Sequence, residues 1–292
     1  MDLKLSLLAV FIVSAFLTVL LKVIFEKVGG NLYTSVRGGT PRAVGLAPFI
    51  AMILFLPSPY RDLILIIGVF AFLDDIIGRK KIKNLPVEIG QLLRGLGMLM
   101  VAYVGYFYFG PASILIALMV QPLNIADMQP GSACSTVIIM SAIILLSMFY
   151  FGILGLYVPL VVLIACLGYA ILDFQGKIMM GEIGNHSFAV ALGMSYAVLG
   201  GFWGTLLLFI LTVIVIALIR RNNLTKFMQN NLKIMDPSFG DFFMDVLTGG
   251  GLGDILRRIL LGKRRIIINN KLLKFLGFRR LFYNPFAPHS VL

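Results

Sequence analysis

Residues 3–25 read LKLSLLAVFIVSAFLTVLLKVIF, a run whose only charges are Lys4 and Lys22, near its two ends. A helix needs about 20 apolar residues to cross the hydrocarbon core of a bilayer, and this run is long enough. It is too long for the core of a signal peptide, and no small-residue cleavage pattern accompanies it. The run therefore predicts an uncleaved transmembrane helix, which decides the fold class.

The same kind of segment recurs along the chain up to residue 219. Tight, glycine- and proline-rich turns separate the segments, as is typical of breaks between neighbouring helices. The further apolar segments cover residues 44–56, 63–77, 89–109, 112–123, 133–151, 156–174, 187–201 and 202–219. The sequence thus predicts an all-α, polytopic transmembrane helix bundle of about nine to ten spans. We expect residues 1–221 to form a transmembrane catalytic bundle and residues 222–292 to form a basic tail at the membrane surface.

The composition excludes an ordinary soluble domain. Hydrophobic residues make up 59% of the 292 residues, and the mean hydropathy is +0.97. Charged residues make up 13%, against about 25% in a typical soluble chain. Cys134 and Cys166 lie in apolar runs without metal-ligand spacing, which predicts two buried packing residues.

Basic residues fall on alternate loops of this bundle. The loops after the first and third apolar segments are basic, and so is the tail that begins at Arg220. The intervening loops, at residues 57–62, 110–111, 152–155 and 200–201, carry Arg61 as their only basic residue. The positive-inside rule places the basic loops in the cytoplasm and the amino terminus outside. We therefore expect a multi-pass plasma-membrane protein with its functional loops on the cytoplasmic face.

The tail carries most of the excess positive charge. The chain has a net charge of +12, and from Arg220 onward there are 13 Lys and Arg residues against 4 Asp and Glu residues. Such a tail binds anionic headgroups and fixes orientation. No recognisable nucleic-acid-binding module accompanies it, so no nucleic-acid partner is expected. Residues 252–261 and 266–278 are predicted to be amphipathic helices lying on the membrane surface.

Three polar clusters lie beside the ends of apolar segments on the predicted cytoplasmic side. They are Asp74-Asp75, the stretch Asn124-Ile-Ala-Asp127, and the stretch Gly181-Glu182-Ile-Gly184. Carboxylates are costly in hydrocarbon, so acidic groups at such positions are candidates for function. Adjacent carboxylates repel each other and favour a site that holds a divalent cation or a cluster of positive charge. The alternative for the Asp pair is a solvated helix end balanced by the basic residues that follow.

The other polar residues suggest ligand contacts. Asn124 and Asp127 share one face of a helix and suit hydrogen bonds to a nucleobase or sugar; the alternative is a polar helix end. The glycine-rich first loop carries Arg37 and Arg42, which can each donate paired hydrogen bonds to phosphate oxygens. The alternative is a basic loop whose charge only sets the membrane topology. His186 could contact a phosphate, or cap and pack a helix.

In order along the chain, these residues resemble the polyprenyl-phosphate N-acetylhexosamine-1-phosphate transferase superfamily. Phe72-Leu-Asp74-Asp75-Ile-Ile-Gly78 looks like its Asp-Asp motif, and Thr40-Pro-Arg42 with Gly45 matches its first-loop motif. Residues 123–131 look like its Asn-x-x-Asp-Gly-x-Asp-Gly motif, and residues 180–185 like its Met-Gly-Asp-x-Gly-Ser motif. The match covers roughly residues 40–193, and each motif is moderately specific.

The resemblance implies a magnesium-dependent transfer of sugar-1-phosphate from a UDP-sugar to polyprenyl phosphate, which releases UMP and forms a lipid-linked precursor for cell-wall or glycan synthesis. It assigns catalysis to Asp74 and Asp75, and Mg²⁺ to Asp75 and Glu182. The substrate-binding residues that it implies are Arg37, Thr40, Arg42, Asn124, Asp127, Asn185 and His186. Family members can dimerise, and no feature of the sequence decides between a monomer and a homodimer.

The chain departs from the family pattern at several motif positions. Met128 and Pro130 replace a glycine and an aspartate, Glu182 replaces an aspartate, and Asn185 replaces a serine. A divergent transferase is therefore one hypothesis, and a non-catalytic scaffold or lipid-binding homologue is another. A transporter would fit the hydropathy, but its polar residues should lie in the middle of the spans rather than at their ends.

Overall fold

The computed structural model describes residues 2–34, 39–78, 80–81, 88–262, 264 and 266–284. Most of these residues are helical, which confirms the all-α class. Among them, five helices are long and apolar enough to cross a membrane: Leu3–Val28, Ile89–Phe109, Ser132–Phe151, Tyr157–Phe174 and Gly181–Ile219. Two shorter apolar segments, Leu46–Phe55 and Ala112–Ala126, accompany them. The fold is therefore of the membrane type, while the count of about nine to ten spans stays a prediction.

The chain divides into two compact units, Met1–Thr212 and Val213–Leu292. In chain order the first unit begins with α1 (Leu3–Val28), a short 3₁₀ turn (Gly30–Leu32), β1 (Tyr33–Thr34), β2 (Thr40–Pro41), α2 (Leu46–Phe55) and α3 (Tyr60–Ile77). It continues with α4 (Ile89–Phe109), α5 (Ala112–Leu118), α6 (Val120–Ala126), α7 (Ser132–Phe151), α8 (Tyr157–Phe174) and α9 (Gly181–Ile219). The strands β1 and β2 form an antiparallel hairpin that pairs Tyr33 with Pro41 and Thr34 with Thr40.

Helix α1 packs against α8 through small and polar side chains. The Ser14 hydroxyl donates to the Ala165 carbonyl at 2.7 Å, and the hydroxyls of Ser6 and Tyr157 lie 2.8 Å apart. The opposite face of α1 exposes large apolar side chains, with Phe16 64% exposed. Small residues inside and large apolar residues outside are expected where lipid, rather than water, surrounds a helix pair.

The apolar segment at residues 112–123, predicted as one helix, is divided in the structure. Helix α5 ends at Leu118, and α6 runs from Val120 to Ala126. Pro122 explains the division, because it has no N–H to donate to the Leu118 carbonyl and its ring crowds that group. The second piece carries Asn124 on its last turn, with Asp127 directly after it.

Helix α9 folds back on itself at Gly200 and Gly201, where the backbone leaves helical geometry. The Tyr196 and Thr212 hydroxyls lie 2.8 Å apart across this bend. A straight helix would separate the two residues by about 24 Å along its axis. Residues 202–212 therefore lie beside the part of α9 that precedes the bend, and the bend falls at the junction that the sequence predicts between residues 187–201 and 202–219.

The second unit contains a further set of short helices. They are α10 (Arg221–Asn231), α11 (Phe239–Thr248), α12 (Gly251–Leu261), α13 (Lys271–Phe275) and α14 (Phe278–Leu281). Ser238 caps α11 by a reciprocal arrangement with Asp241, which satisfies backbone N–H groups at the start of that helix. Helix α11 packs against α12, α13 and α14.

Candidate functional site

The carboxylate of Asp75 joins the end of α3 to the start of α9. It is fully buried and accepts hydrogen bonds from the backbone N–H groups of Glu182, at 3.1 Å, and Ile183, at 2.9 Å. These N–H groups have no partners within their own helix, and the positive end of the α9 dipole favours an anion there. Asp74 and Asp75 lie at the C-terminal end of α3, where the dipole of that helix disfavours negative charge. The dipole of α9 offsets this cost for Asp75, which lies at the N-terminal end of that helix.

Asp127 holds the same helix start from a second side. Its carboxylate accepts the backbone N–H of Gly181 at 3.1 Å. Gly181 has a φ of +70°, and a Cβ there would lie 2.6 Å from the Ala43 backbone and 2.9 Å from a carboxylate oxygen of Asp75. Only glycine fits this position. The first turn of α9 is consequently fixed between the loop at Ala43 and two aspartates.

Arg42 extends from the β1–β2 hairpin into this group. Its guanidinium lies 3.2 Å from Asp75 and 3.2 Å from Glu182, with its side chain 22% exposed. The main chain beside it is tied to the residues before α9, since the Met179 N–H donates to the Pro41 carbonyl at 2.9 Å. Burial lowers the pKa of Arg42, but the neighbouring carboxylates raise it more, so the pKa lies above its ordinary value. Arg42 therefore remains charged and ties two acidic motifs together.

Arg94 is the central residue that the sequence reading missed. It is buried on α4, and its guanidinium lies 2.7 Å from Glu182 and 3.2 Å from Asp74. One turn earlier, a Cβ at Gly90 would lie 1.7 Å from a carboxylate oxygen of Asp74, so glycine leaves the room that this carboxylate occupies. The available signal was a single arginine inside the apolar segment 89–109, because an ionisable residue there is a candidate for function by default.

Asn124 completes the ring around Glu182. With its carboxamide oxygen toward Arg94, at 2.6 Å, its nitrogen donates to Glu182 at 3.2 Å. Turned the other way, the oxygen would accept from Asn185 at 3.3 Å, but the nitrogen would face the donors of Arg94. The first orientation satisfies both ends of the amide, and we adopt it.

His186 lies on the first turns of α9, near Glu182. It is fully buried, with its Nδ1 atom 2.5 Å from the Asn185 carboxamide oxygen and 3.6 Å from Glu182. Both residues were expected to contact substrate. In the structure they contact each other, and His186 lies beside Glu182, so their contact with substrate stays a prediction.

The structure thus brings together most of the residues expected from the sequence. The residues that share contacts in this cluster, which we call the carboxylate–arginine cluster, are Arg42, Asp74, Asp75, Arg94, Asn124, Asp127, Glu182, Asn185 and His186. Thr40 is buried in the neighbouring hairpin, where it pairs with Thr34. Arg37 lies outside the described residues.

The carboxylates do not fit a metal ion in this arrangement. Both oxygens of Asp75 accept backbone N–H groups, and one of them also meets Arg42. Glu182 pairs with Arg42 through one oxygen and with Arg94 through the other. Within the part of the chain that the structure describes, no group of three or more His, Cys, Asp or Glu side chains is arranged to hold a metal. The expected Mg²⁺ would have to displace a guanidinium from these oxygens.

The carboxylate–arginine cluster contains more acidic than basic side chains, which affects how it could bind an anionic ligand. Four carboxylates, Asp74, Asp75, Asp127 and Glu182, face the two guanidiniums of Arg42 and Arg94. Guanidiniums exchange readily between carboxylate and phosphate, because both anions accept their paired N–H groups. The more exposed Arg42 is the natural point of entry for an anionic ligand. A scan of protein-family models and a search of curated proteins found no match to the chain.

Proposed function

We propose that the protein transfers a sugar-1-phosphate from a UDP-sugar to a polyprenyl phosphate, releasing UMP and leaving a lipid-linked sugar pyrophosphate. One observation carries the proposal. Three acidic motifs, separated by about fifty residues each, meet in a single buried cluster: Asp75 and Glu182 both pair with the first-loop Arg42, and Asp127 joins them through the N–H of Gly181. A membrane enzyme of this class would act on a donor of N-acetylhexosamine or N-acetylmuramoyl-pentapeptide type.

The proposed reaction is a single displacement at phosphorus. An oxygen of the lipid phosphate attacks the phosphorus that bears the sugar, and the bond to the bridging oxygen breaks, so that the electron pair leaves with UMP. Such a transfer depends on positioning and charge neutralisation more than on covalent catalysis. In our proposal Arg42 and Arg94 supply this neutralisation when they turn from Glu182 toward the pyrophosphate.

The carboxylates then take distinct roles. Asp74, at 8% exposure, would position or deprotonate the lipid phosphate once Arg94 moves away. Asn124 would contact the uridine or its ribose, as the sequence suggested. Asp127 already accepts the Gly181 N–H, so we assign it the positioning of α9 in addition to any contact with the donor.

Magnesium remains a prediction from the resemblance and enters no step of this proposal. Asp75 and Glu182 were its expected ligands, yet both are occupied by guanidinium and backbone donors. Location in the plasma membrane, a cytoplasmic site and a homodimer are likewise proposals.

Purified full-length protein should release UMP when given polyprenyl phosphate, Mg²⁺ and a panel of UDP-N-acetylhexosamines. Asp75→Asn should abolish this release, while Asp236→Asn, an exposed aspartate of the second unit, should leave it unchanged. Equal activity of Asp75→Asn and wild type would exclude the proposed site.

A second candidate function is a non-catalytic scaffold or lipid-binding protein, and one observation favours it. The cluster already pairs carboxylates with guanidiniums and backbone N–H groups, as a purely structural polar core would. In that case no donor in the panel would yield UMP, and Asp75→Asn would lower the thermal stability without changing any binding of polyprenyl phosphate. Turnover that depends on Asp75 would exclude this alternative.

A further inference from the structure

The second unit buries ion pairs beside apolar side chains such as Leu224, Met228 and Phe242. Arg280 and Asp245 are both buried and directly paired. Arg279 lies 2.7 Å from the fully buried Asp241 and 2.7 Å from Asp236. Burial of paired charges is costly in a small unit, and apolar residues would normally take these positions.

Two short helices of the same unit also carry large apolar side chains that are exposed. On α12, Leu256, Ile259 and Leu260 are 59%, 72% and 79% exposed, at a spacing that places them on one face of the helix. On α13, Leu272 and Phe275 are 64% and 67% exposed. We call these five residues the tail apolar face. Large apolar side chains exposed at helical spacing mark a surface suited to an apolar surrounding rather than to water.

Exposed basic side chains accompany this face. All four acidic residues of the tail are paired with arginines, Asp254 with Arg257 and the other three with Arg279 or Arg280. Exposed basic residues include Lys226, Lys233, Arg264 and Lys271. The outward charge of the described tail is therefore positive. A surface that combines exposed leucines with lysine and arginine is complementary to anionic phospholipid, whose headgroups and acyl chains meet both.

We propose that the tail apolar face inserts into the headgroup region of an anionic bilayer, with Arg264 and Lys271 at the lipid phosphates. The occupant is the bilayer that holds the chain itself, because the tail follows directly on α9, which is long and apolar enough to cross a membrane. Two features favour lipid over a protein partner: the apolar side chains are arranged as helix stripes, and the exposed charge of the described tail is mainly basic. This inference stands whether or not the protein is a transferase.

The test uses the full-length chain in vesicles. Cys134 and Cys166 are buried, so an environment-sensitive thiol dye will report a cysteine introduced by Ile259→Cys. Asn230→Cys, at an exposed polar position on α10, is the matched control. In vesicles of phosphatidylcholine with phosphatidylglycerol, we expect a blue-shifted emission at position 259 and quenching by lipid-borne nitroxides, with neither effect at position 230.

Removing charge should release the tail without unfolding it. Arg264→Gln and Lys271→Gln should each lower the ratio of inserted to free tail by about fivefold, since one basic side chain contributes on the order of that factor near an anionic surface. Identical spectra at position 259 in vesicles with and without phosphatidylglycerol would overturn the proposal. So would a blue shift that grows with protein density and resists added salt, because that would indicate a second copy as the occupant.

Discussion

Arg94 and Glu182 lie 2.7 Å apart, although one belongs to α4 and the other to the first turn of α9. Glu182 is also held by Arg42 from the first loop, so that three distant segments meet at a single carboxylate. One guanidinium nitrogen of Arg94 holds both carboxylates, since it lies 2.7 Å from Glu182 and 3.2 Å from Asp74. Changes at these residues should therefore affect the stability of the bundle and the site together.

Arg94→Met should lower the free energy of unfolding by about 3–5 kcal/mol, because it leaves Glu182 and Asp74 buried without their main counter-charge. Thermal unfolding in detergent measures this loss. Arg61→Met, at the exposed pair with Asp62, is the control and should cost no more than about 1 kcal/mol. The double variant Arg94→Met with Glu182→Gln should recover part of the loss, and strict additivity of the two single changes would contradict the pairing.

Gly90→Ala should displace the Asp74 carboxylate, since the new Cβ would overlap one of its oxygens. Misplacement by about an ångström can cost on the order of a hundredfold in turnover, so the release of UMP should fall by that factor. Gly95→Ala, five residues along the same helix, has nothing within 4 Å of the added Cβ and should leave turnover unchanged. Equal rates for the two variants would remove Asp74 from the proposed reaction.

Asp75→Asn should destabilise the start of α9 more than Asp127→Asn does. Asp75 accepts two backbone N–H groups at the start of α9 and pairs with Arg42, whereas Asp127 accepts the N–H of Gly181. An amide retains a single acceptor, so the Asp75 variant must leave at least one buried donor without its partner, at a cost of about 1–3 kcal/mol. Hydrogen exchange of the amides at residues 181–183 should accelerate more in Asp75→Asn, and the reverse order would contradict this account.

Divalent metal should compete with Arg94 for Glu182. Arg94→Gln keeps a polar side chain but removes the positive charge at 2.7 Å, so Mn²⁺ should bind the variant about tenfold more tightly than wild type, a change equivalent to about 1.4 kcal/mol. Paramagnetic resonance of free Mn²⁺ measures the difference, with Arg61→Gln as the control for net charge. Equal affinities would show that the arginine does not compete with the metal.

The fold class and most residues of the carboxylate–arginine cluster could be predicted from the sequence. The long apolar run at residues 3–25 and the glycine pair at residues 200–201 are local signals, and α1 and the bend of α9 follow them. The acidic motifs were recognised because carboxylates stand out against apolar sequence.

Two features required tertiary information. Arg94 was read as part of an apolar span, since its role depends on the approach of Asp74 and Glu182 from other helices. The attachment of Asp75 to the α9 N-terminus depends on a contact between residues 107 positions apart, for which local sequence gives no signal. Neither periodicity nor spacing can determine such contacts.

The capping of α9 by Asp75 joins residues that the ribosome synthesises at different times. The Asp75 carboxylate is made 107 residues before the N–H group of Glu182 that it accepts. At about 5–20 residues per second, the ribosome needs roughly 5–20 seconds to add the intervening chain. Over that interval Asp75 can pair with Arg42, which is already made, but the two backbone N–H groups that it accepts do not yet exist. A chain truncated before residue 181 would therefore leave the buried carboxylate of Asp75 with Arg42 but without either backbone donor.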